Sequence, residues 1–317
     1  MKPILKFSLL LCLLLIVISL FLFYKVDLSN DYAISKRSIR LFSMLIVGCS
    51  VAYSSILFQT ITNNRILTPS IMGYEAIFIL FQTLIVFIYG DRAFQVINQQ
   101  ENFVYAVILM LGFSLLIYFL MFGKDKKSMY YLLLTGMVFG TLFMTMSQFL
   151  HVLIDPNEFS MVQNFMFVSF AKMNTKLLSI AAITMLAAIT YISFNLRYLD
   201  VIALGKDHAI NLGVDYNKMI KRFLICITLL VSVSTALVGP ITFLGILVCN
   251  LTYELFKTRK HQFMLPICAV IAALCLVLGQ FFVEQVIGFT TTVSIIINFI
   301  GGIYFMYLLW LTRKRIS

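Results

Sequence analysis

The sequence predicts an all-α polytopic membrane protein with about ten transmembrane helices. Three observations carry the prediction. Hydrophobic residues make up 61% of the 317 and charged residues only 12%, at a mean hydropathy of +0.99, outside the range of soluble domains. The apolar residues fall in runs as long as a membrane-spanning helix requires, about 20 residues at a rise of about 1.5 Å for a hydrocarbon core of about 30 Å. Basic residues collect in alternate connections between those runs, as they do where short cytoplasmic loops carry the excess Lys and Arg.

In order, the runs are 4–23, 40–60, 72–90, 102–122, 129–150, 177–195, 221–238, 241–256, 263–283 and 290–311. The first follows Lys2 and Lys6, but its core "FSLLLCLLLIVISLFLF" exceeds the about 7–15 residues of a signal peptide and no small-x-small cleavage site follows, so it is read as a retained helix. The seventh and eighth form one apolar stretch broken only at Gly239-Pro240, and the eighth is short. Charge placement favours keeping them separate. With ten spans and both termini cytoplasmic, 17 of the 24 basic residues fall inside: Lys2, Lys6, Arg65, Lys124, Lys126, Lys127, Arg197, Lys206, Lys218, Lys221, Arg222, Lys257, Arg259, Lys260, Arg313, Lys314 and Arg315. Merging the two spans would throw "KTRKH" (257–261) outside. The net charge of +11 is then a topology signal facing anionic lipid headgroups, and it calls for no nucleic acid.

The chain offers little chemistry of its own. The six cysteines all lie in apolar runs, without a C-x-x-C pair, and read as small buried hydrophobes. His151, His208 and His261 are scattered, and no H-E-x-x-H, G-x-S-x-G or P-loop occurs, so neither an enzyme nor an ATP-binding subunit is expected. Transport is the leading class. Glu75, Glu254 and Glu284 fall near span ends, where solvated carboxylates are expected, and this disfavours ion coupling in favour of an external motor acting on a cytoplasmic loop. A secondary carrier and a membrane enzyme or sensor stay open as alternatives.

The one long polar interruption is "LRYLDVIALGKDHAINLGVDYNKMIKR", residues 196–222. Its pattern predicts two short helices joined at glycines: Gly205 closes the run Val201–Leu204, Asp207 is placed to cap a helix starting at His208, and Gly213 follows Leu212 where a left-handed turn ends it.

Four motifs in order resemble the iron-siderophore and vitamin B12 permeases of ABC importers, the FecCD/BtuC type. Residues 37–73, "RSIRLFSMLIVGCSVAYSSILFQTITNNRILTPSIMG", carry Arg37, Arg40, Gly48, Gln59, Asn64, Leu67, Pro69 and Gly73 at that family's spacing, although Arg65 stands where the family has proline. "LLLTGMVFG" (132–140) is similar to its fifth span, and Ala203, Leu204, Gly205, Ala209, Leu212, Gly213 and Val214 match its cytoplasmic loop. "GPITFLGILVCNLTYEL" (239–255) follows its G-x-I-x-F-x-G-L pattern, with Cys249-Asn250 in place of Pro-His. "IGFTT" (287–291) stands where L-P-x-G is usual, and Glu284 stands where many members carry an arginine.

The resemblance implies a type II ABC importer permease (BtuC-like) fold and a single permease domain over 1–317, with 196–222 as an ATPase-coupling loop. It implies no cofactor on this chain, with ATP and Mg held by two partner ATPase subunits. A second permease is implied, as a heterodimer given the eroded motifs or else a homodimer, together with an extracytoplasmic binding lipoprotein. The cargo it implies is a ferric siderophore, with haem or a corrinoid as the alternative. Arg37 and Arg40 would receive acidic residues of the binding protein, and Ala203, Leu204, Gly205, Asp207, Ala209, Leu212 and Gly213 would meet the ATPase. Gly136, Gly140, Thr141, Met144 and Gln148 on the fifth span, with Thr135, Thr145, Met146 and Ser147, would pack the helices and line an adaptable pathway.

Overall fold

The structure is a computed structural model that describes residues 3–25, 31–121, 129–170, 173–288 and 291–316. Lys2, Lys124, Lys126, Lys127 and Lys172, and Phe289 and Thr290 of "IGFTT", lie outside the described residues. The described residues form helices α1 (Pro3–Phe23), α2 (Asp31–Thr62), α3 (Tyr74–Tyr89), α4 (Ala93–Val96), α5 (Gln99–Met121), α6 (Met129–Leu153) and α7 (Pro156–Met166). They continue as α8 (Thr175–Phe194), α9 (Leu196–Ile202), α10 (Lys206–Asn211), α11 (Tyr216–Val238), α12 (Leu244–Leu255), α13 (His261–Gln285) and α14 (Val293–Ile316). Eight of them, α1, α2, α3, α5, α6, α8, α11 and α13, are long and apolar enough to cross a membrane. With α12 and α14 these correspond to the ten predicted runs.

α2 is the axis of the fold. Its 32 residues pack against α13, α11, α12 and α8, and the approach of α13 is set by Gly48, where a Cβ would stand 3.1 Å from the Ala273 backbone nitrogen. The Ser50 hydroxyl donates to the Leu230 carbonyl of α11 at 2.8 Å, satisfying a polar group that hydrocarbon would otherwise leave bare.

Two spans are interrupted. α11 stops at Val238 because Gly239 takes φ +101°, a conformation open to glycine, and Pro240 cannot continue the ladder. The turn is buried rather than looped out, since Gly239 lies against the Phe167 carbonyl and the Ser169 N–H donates to the Val238 carbonyl at 3.0 Å. α12 therefore begins at Leu244 and, with 12 residues, rises about 18 Å, little more than half a hydrocarbon core. α3 starts in the same way, after the 3-10 turn Pro69–Met72 and Gly73 at φ +81°. Here the G-x-x-x-G of α6 acts inside the chain: a Cβ on Gly136 would come 2.8 Å from the Met72 Cα, and one on Gly140 would come 3.1 Å from the Gly73 Cα. Those glycines admit a backbone turn, where the sequence suggested only helix–helix packing.

The polar stretch folds as two short helices, α9 and α10. Gly205 joins them at φ +102°, ψ 165°, and Gly213 at φ +80° ends α10, its N–H donating to the Ile210 carbonyl while the Val214 N–H reaches the Ala209 carbonyl. Asp207 is not the cap. α10 opens two residues earlier, at Lys206, with Gly205 as its N-cap, which leaves Asp207 in the first turn, where its negative charge faces the positive end of the helix dipole. The capping carboxylate is Asp215, which accepts from the Lys218 N–H at the start of α11.

Candidate functional site

Residues predicted to share a membrane side gather at the same end of the bundle. At one end the Lys6 ammonium donates to the Leu255 carbonyl at 3.0 Å, the Asn250 amide reaches the Arg65 carbonyl at 3.4 Å, and α9 meets the start of α13. At the other end stand Arg37, Arg40 and Glu284.

The α9–α10 element is held from beneath and bare above. Leu199, Ile202 and Ala209 are buried, whereas Ala203, Leu204, Lys206, Asp207, His208, Ile210 and Leu212 are exposed. Leu204 is 59% exposed and Leu212 62%, side chains that gain by being covered by a partner. The predicted coupling residues are thus brought onto one knob, except that Ala209 turns inward as its anchor. A Cβ on Gly205 or Gly213 would meet nothing within 4 Å, so these glycines serve backbone conformation and not close approach.

Sequence reading missed the clasp beneath this knob. Asp200 Oδ1 on α9 accepts from the His261 backbone N–H at 3.0 Å and lies 2.5 Å from its Nδ1, while His261 Nε2 is 2.8 Å from the Thr60 hydroxyl on α2. The three residues are remote in sequence. The available signals were only a histidine at the start of an apolar run and a carboxylate between the buried Leu199 and Ile202.

At the far end both predicted docking arginines have partners within the chain. The Arg37 guanidinium donates to the Phe21 and Tyr24 carbonyls at 2.8 and 3.0 Å, closing the C-terminus of α1. Arg40 pairs with Glu284 at 2.6 Å, with side chains 17% and 4% exposed, and the Gln280 amide donates to the same carboxylate at 2.8 Å. Glu284 is therefore a buried ion-pair partner and not a solvated end group. Glu75 departs from that expectation too. Beside the start of α12, it accepts from the Ser70 and Thr242 hydroxyls at 2.7 and 2.8 Å, bordering a polar cavity with Ser55, Thr68 and Thr235.

On α6, Thr141, Met144, Thr145 and Gln148 are exposed at helical spacing and form one stripe. The threonine hydroxyls return to their own helix, Thr141 to the Met137 and Val138 carbonyls and Thr145 to the Thr141 carbonyl, so the stripe offers methyls, a thioether and one free-standing amide. Ser147 leaves the predicted pathway and turns inward, 2.9 Å from the Thr83 hydroxyl and 3.2 Å from His151 Nε2.

A helical bundle with two interrupted spans, no nucleotide motif, a bare knob at one end and a weakly polar stripe along one helix defines a membrane permease driven from outside its own chain. The chain belongs to the FecCD transport family, whose profile matches residues 8–311. It is 48% identical over 315 residues to the petrobactin import system permease protein YclO of Bacillus subtilis, covering 99% of both chains. It is 32% identical over 282 residues to the petrobactin import system permease protein FatC of Bacillus anthracis, covering 89% of this chain and 79% of that one. Its fold matches a solved inward-facing structure titled as a metal-chelate type ABC transporter at a TM-score of 0.85 and 21% identity, over 96% of this chain and 98% of that one. The fold is that of type II ABC importer permeases, and the protein is a transport subunit for which a separate ATPase hydrolyses ATP.

Proposed function

We propose that this chain is the permease through which an ABC importer carries a ferric siderophore of the petrobactin class across the cell membrane. The observation that carries the reading is the 48% identity, end to end, with a protein named as a petrobactin import permease. The exposed stripe of Thr141, Met144, Thr145 and Gln148 supports it, because a wall with few polar anchors suits a bulky chelate whose selection is made by a separate binding protein. A corrinoid is disfavoured by the weaker similarity to the vitamin B12 import system permease protein BtuC of Vibrio cholerae, 24% identical over 251 residues and 78% of this chain.

Both termini face the cytoplasm in this reading, and residues 196–222 receive the ATPase, with Leu204 and Leu212 entering its cleft and Gly205 setting the angle between α9 and α10. A second, diverged permease completes a heterodimer along the α6 stripe, and two ATPase subunits lie beneath. A binding lipoprotein docks at the opposite end near Arg37 and Arg40, where its carboxylates would exchange with the carbonyls and with Glu284 that now hold those guanidiniums.

The test is uptake of radioactive iron by cells lacking this chain, offered as ferric petrobactin, as a ferric hydroxamate or as haem. Loss of the petrobactin signal alone, restored by the chain in trans, is expected. Undiminished petrobactin uptake in the deletion would overturn the assignment.

A further inference from the structure

We infer that Asp200 and His261 are positioning residues that transmit movement of α9 into the cytoplasmic ends of α13 and α2, through the hydrogen-bonded chain Asp200–His261–Thr60. The inference rests on the reading of α9–α10 as the ATPase-docking element and adds the route by which force leaves it.

Three features carry it. First, α13 begins without a cap of its own: Lys260, its N-cap residue, makes no side-chain cap bond, and Asp200 supplies the missing acceptor from another helix. One carboxylate oxygen takes both the backbone N–H and the imidazole Nδ1–H of His261, so a shift of α9 is applied to the backbone and the side chain of the same residue. Its negative charge also faces the positive end of the α13 dipole, which adds to the hold.

Second, the imidazole is a wedge. His261 is 3% exposed, and its far nitrogen reaches Thr60 in the last turn of α2, so the ring bridges two helices that pack along their lengths down to the Gly48–Ala273 crossing. Displacement of α9 is therefore delivered to both helices of the central pair at once. Third, the contact with α2 has two arrangements. Thr60 Oγ1 lies 2.8 Å from both the Ile56 carbonyl oxygen and His261 Nε2, so its single proton can be given to either while the backbone stays in place. A contact that changes partners without breaking the helix is the kind of element a transport cycle can bias in both directions.

The experiment uses the full chain assembled with its permease partner, ATPase and binding protein in liposomes, reading substrate imported per ATP hydrolysed. Asp200→Leu and His261→Phe are each expected to lower that ratio about tenfold, the scale of a typical coupling between sites. Asp200→Asn, whose amide oxygen still accepts both bonds, is expected to restore most of it. A ratio at the native level in Asp200→Leu, or an Asp200→Asn variant as defective as Asp200→Leu, overturns the inference. Gly205→Leu separates the layers: if it leaves import per ATP unchanged, the coupling reading itself fails, and if it lowers the ratio while Asp200→Leu does not, only the clasp fails. Spin labels at Arg197 on α9 and Gln262 on α13, both exposed, give a readout that survives poor assembly of the variants. In the native complex their separation is expected to stay fixed between the nucleotide-free and ATP-bound states, since the two helix ends move as one body. A change of that separation with ATP also overturns the inference.

Discussion

Replacing Arg40 with alanine removes the ion-pair partner of Glu284 at the C-terminal end of α13, and the cost follows from the geometry. The pair is 2.6 Å apart with side chains 17% and 4% exposed, so removing the guanidinium leaves a buried carboxylate that still accepts from the Gln280 amide at 2.8 Å. Breaking a buried pair from one side costs about 3–5 kcal/mol, and the remaining amide bond and the partial exposure of Arg40 place this case at about 3. Over an unfolding entropy of about 0.7 kcal/mol/K for a chain of 317 residues, that lowers the Tm by about 4 °C. Arg40→Glu sets two carboxylates side by side and is expected to lower it further, whereas Arg40→Glu with Glu284→Arg restores an opposite pair and recovers much of the loss. The assay is thermal unfolding of the detergent-purified chain, read as the monodisperse fraction on size exclusion after heating. If Arg40→Ala melts with the native protein, or the swapped pair is no better than Arg40→Glu alone, the pair does not hold α2 to the C-terminal end of α13. The same geometry makes Arg40→Glu unsuitable for testing binding-protein docking, because failure to dock would be confused with failure to fold.

Arg37→Glu is the cleaner docking probe. It forfeits two bonds to the end of α1, and capture of the substrate-loaded binding protein by the assembled transporter is expected to fall severalfold while copurification of the ATPase persists; unchanged capture would rule Arg37 out of the dock. Gly205→Leu forces a side chain into φ +102°, ψ 165°, a region essentially reserved for glycine at a cost of about 1–3 kcal/mol. Since a Cβ there meets nothing within 4 Å, the chain should still insert in the membrane, and the loss should appear as uptake per ATP. Gly136→Leu drives a side chain into the Met72 Cα, 2.8 Å from its Cβ, and is expected to destabilise the α6 contact by about 1–3 kcal/mol, read as a fall in the monodisperse yield. Gln148→Ala removes an exposed amide from the α6 stripe and is expected to alter uptake of the chelate while leaving the melting temperature within error, a result that a merely structural Gln148 would reverse.

What the sequence determined by itself is whatever depends on composition and local period. Ten apolar runs correspond to helices because hydrocarbon permits a spanning chain few other ways to satisfy its backbone. Gly205, Gly213 and Gly239 mark breaks because positive φ is a local property, and the motif residues announced the family because their spacing survives without any contact being known. The misplaced cap at Asp207 was a matter of two residues, decided by Gly205 taking the N-cap position. Tertiary structure alone decided the rest. Glu75 and Glu284 looked solvated because position along a span does not say what stands across from it, yet one accepts from Thr242 and the other from Arg40, through contacts formed only once α3 meets the turn before α12 and α2 packs on α13. Gly136 and Gly140 were legible as close-approach residues, but their neighbour is a turn of the same chain, and the clasp of Asp200, His261 and Thr60 joins residues separated by up to 201 positions. Such pairings cost the chain entropy before they return any energy, so no local pattern encodes them, and they exist only where helix packing has already brought the partners together.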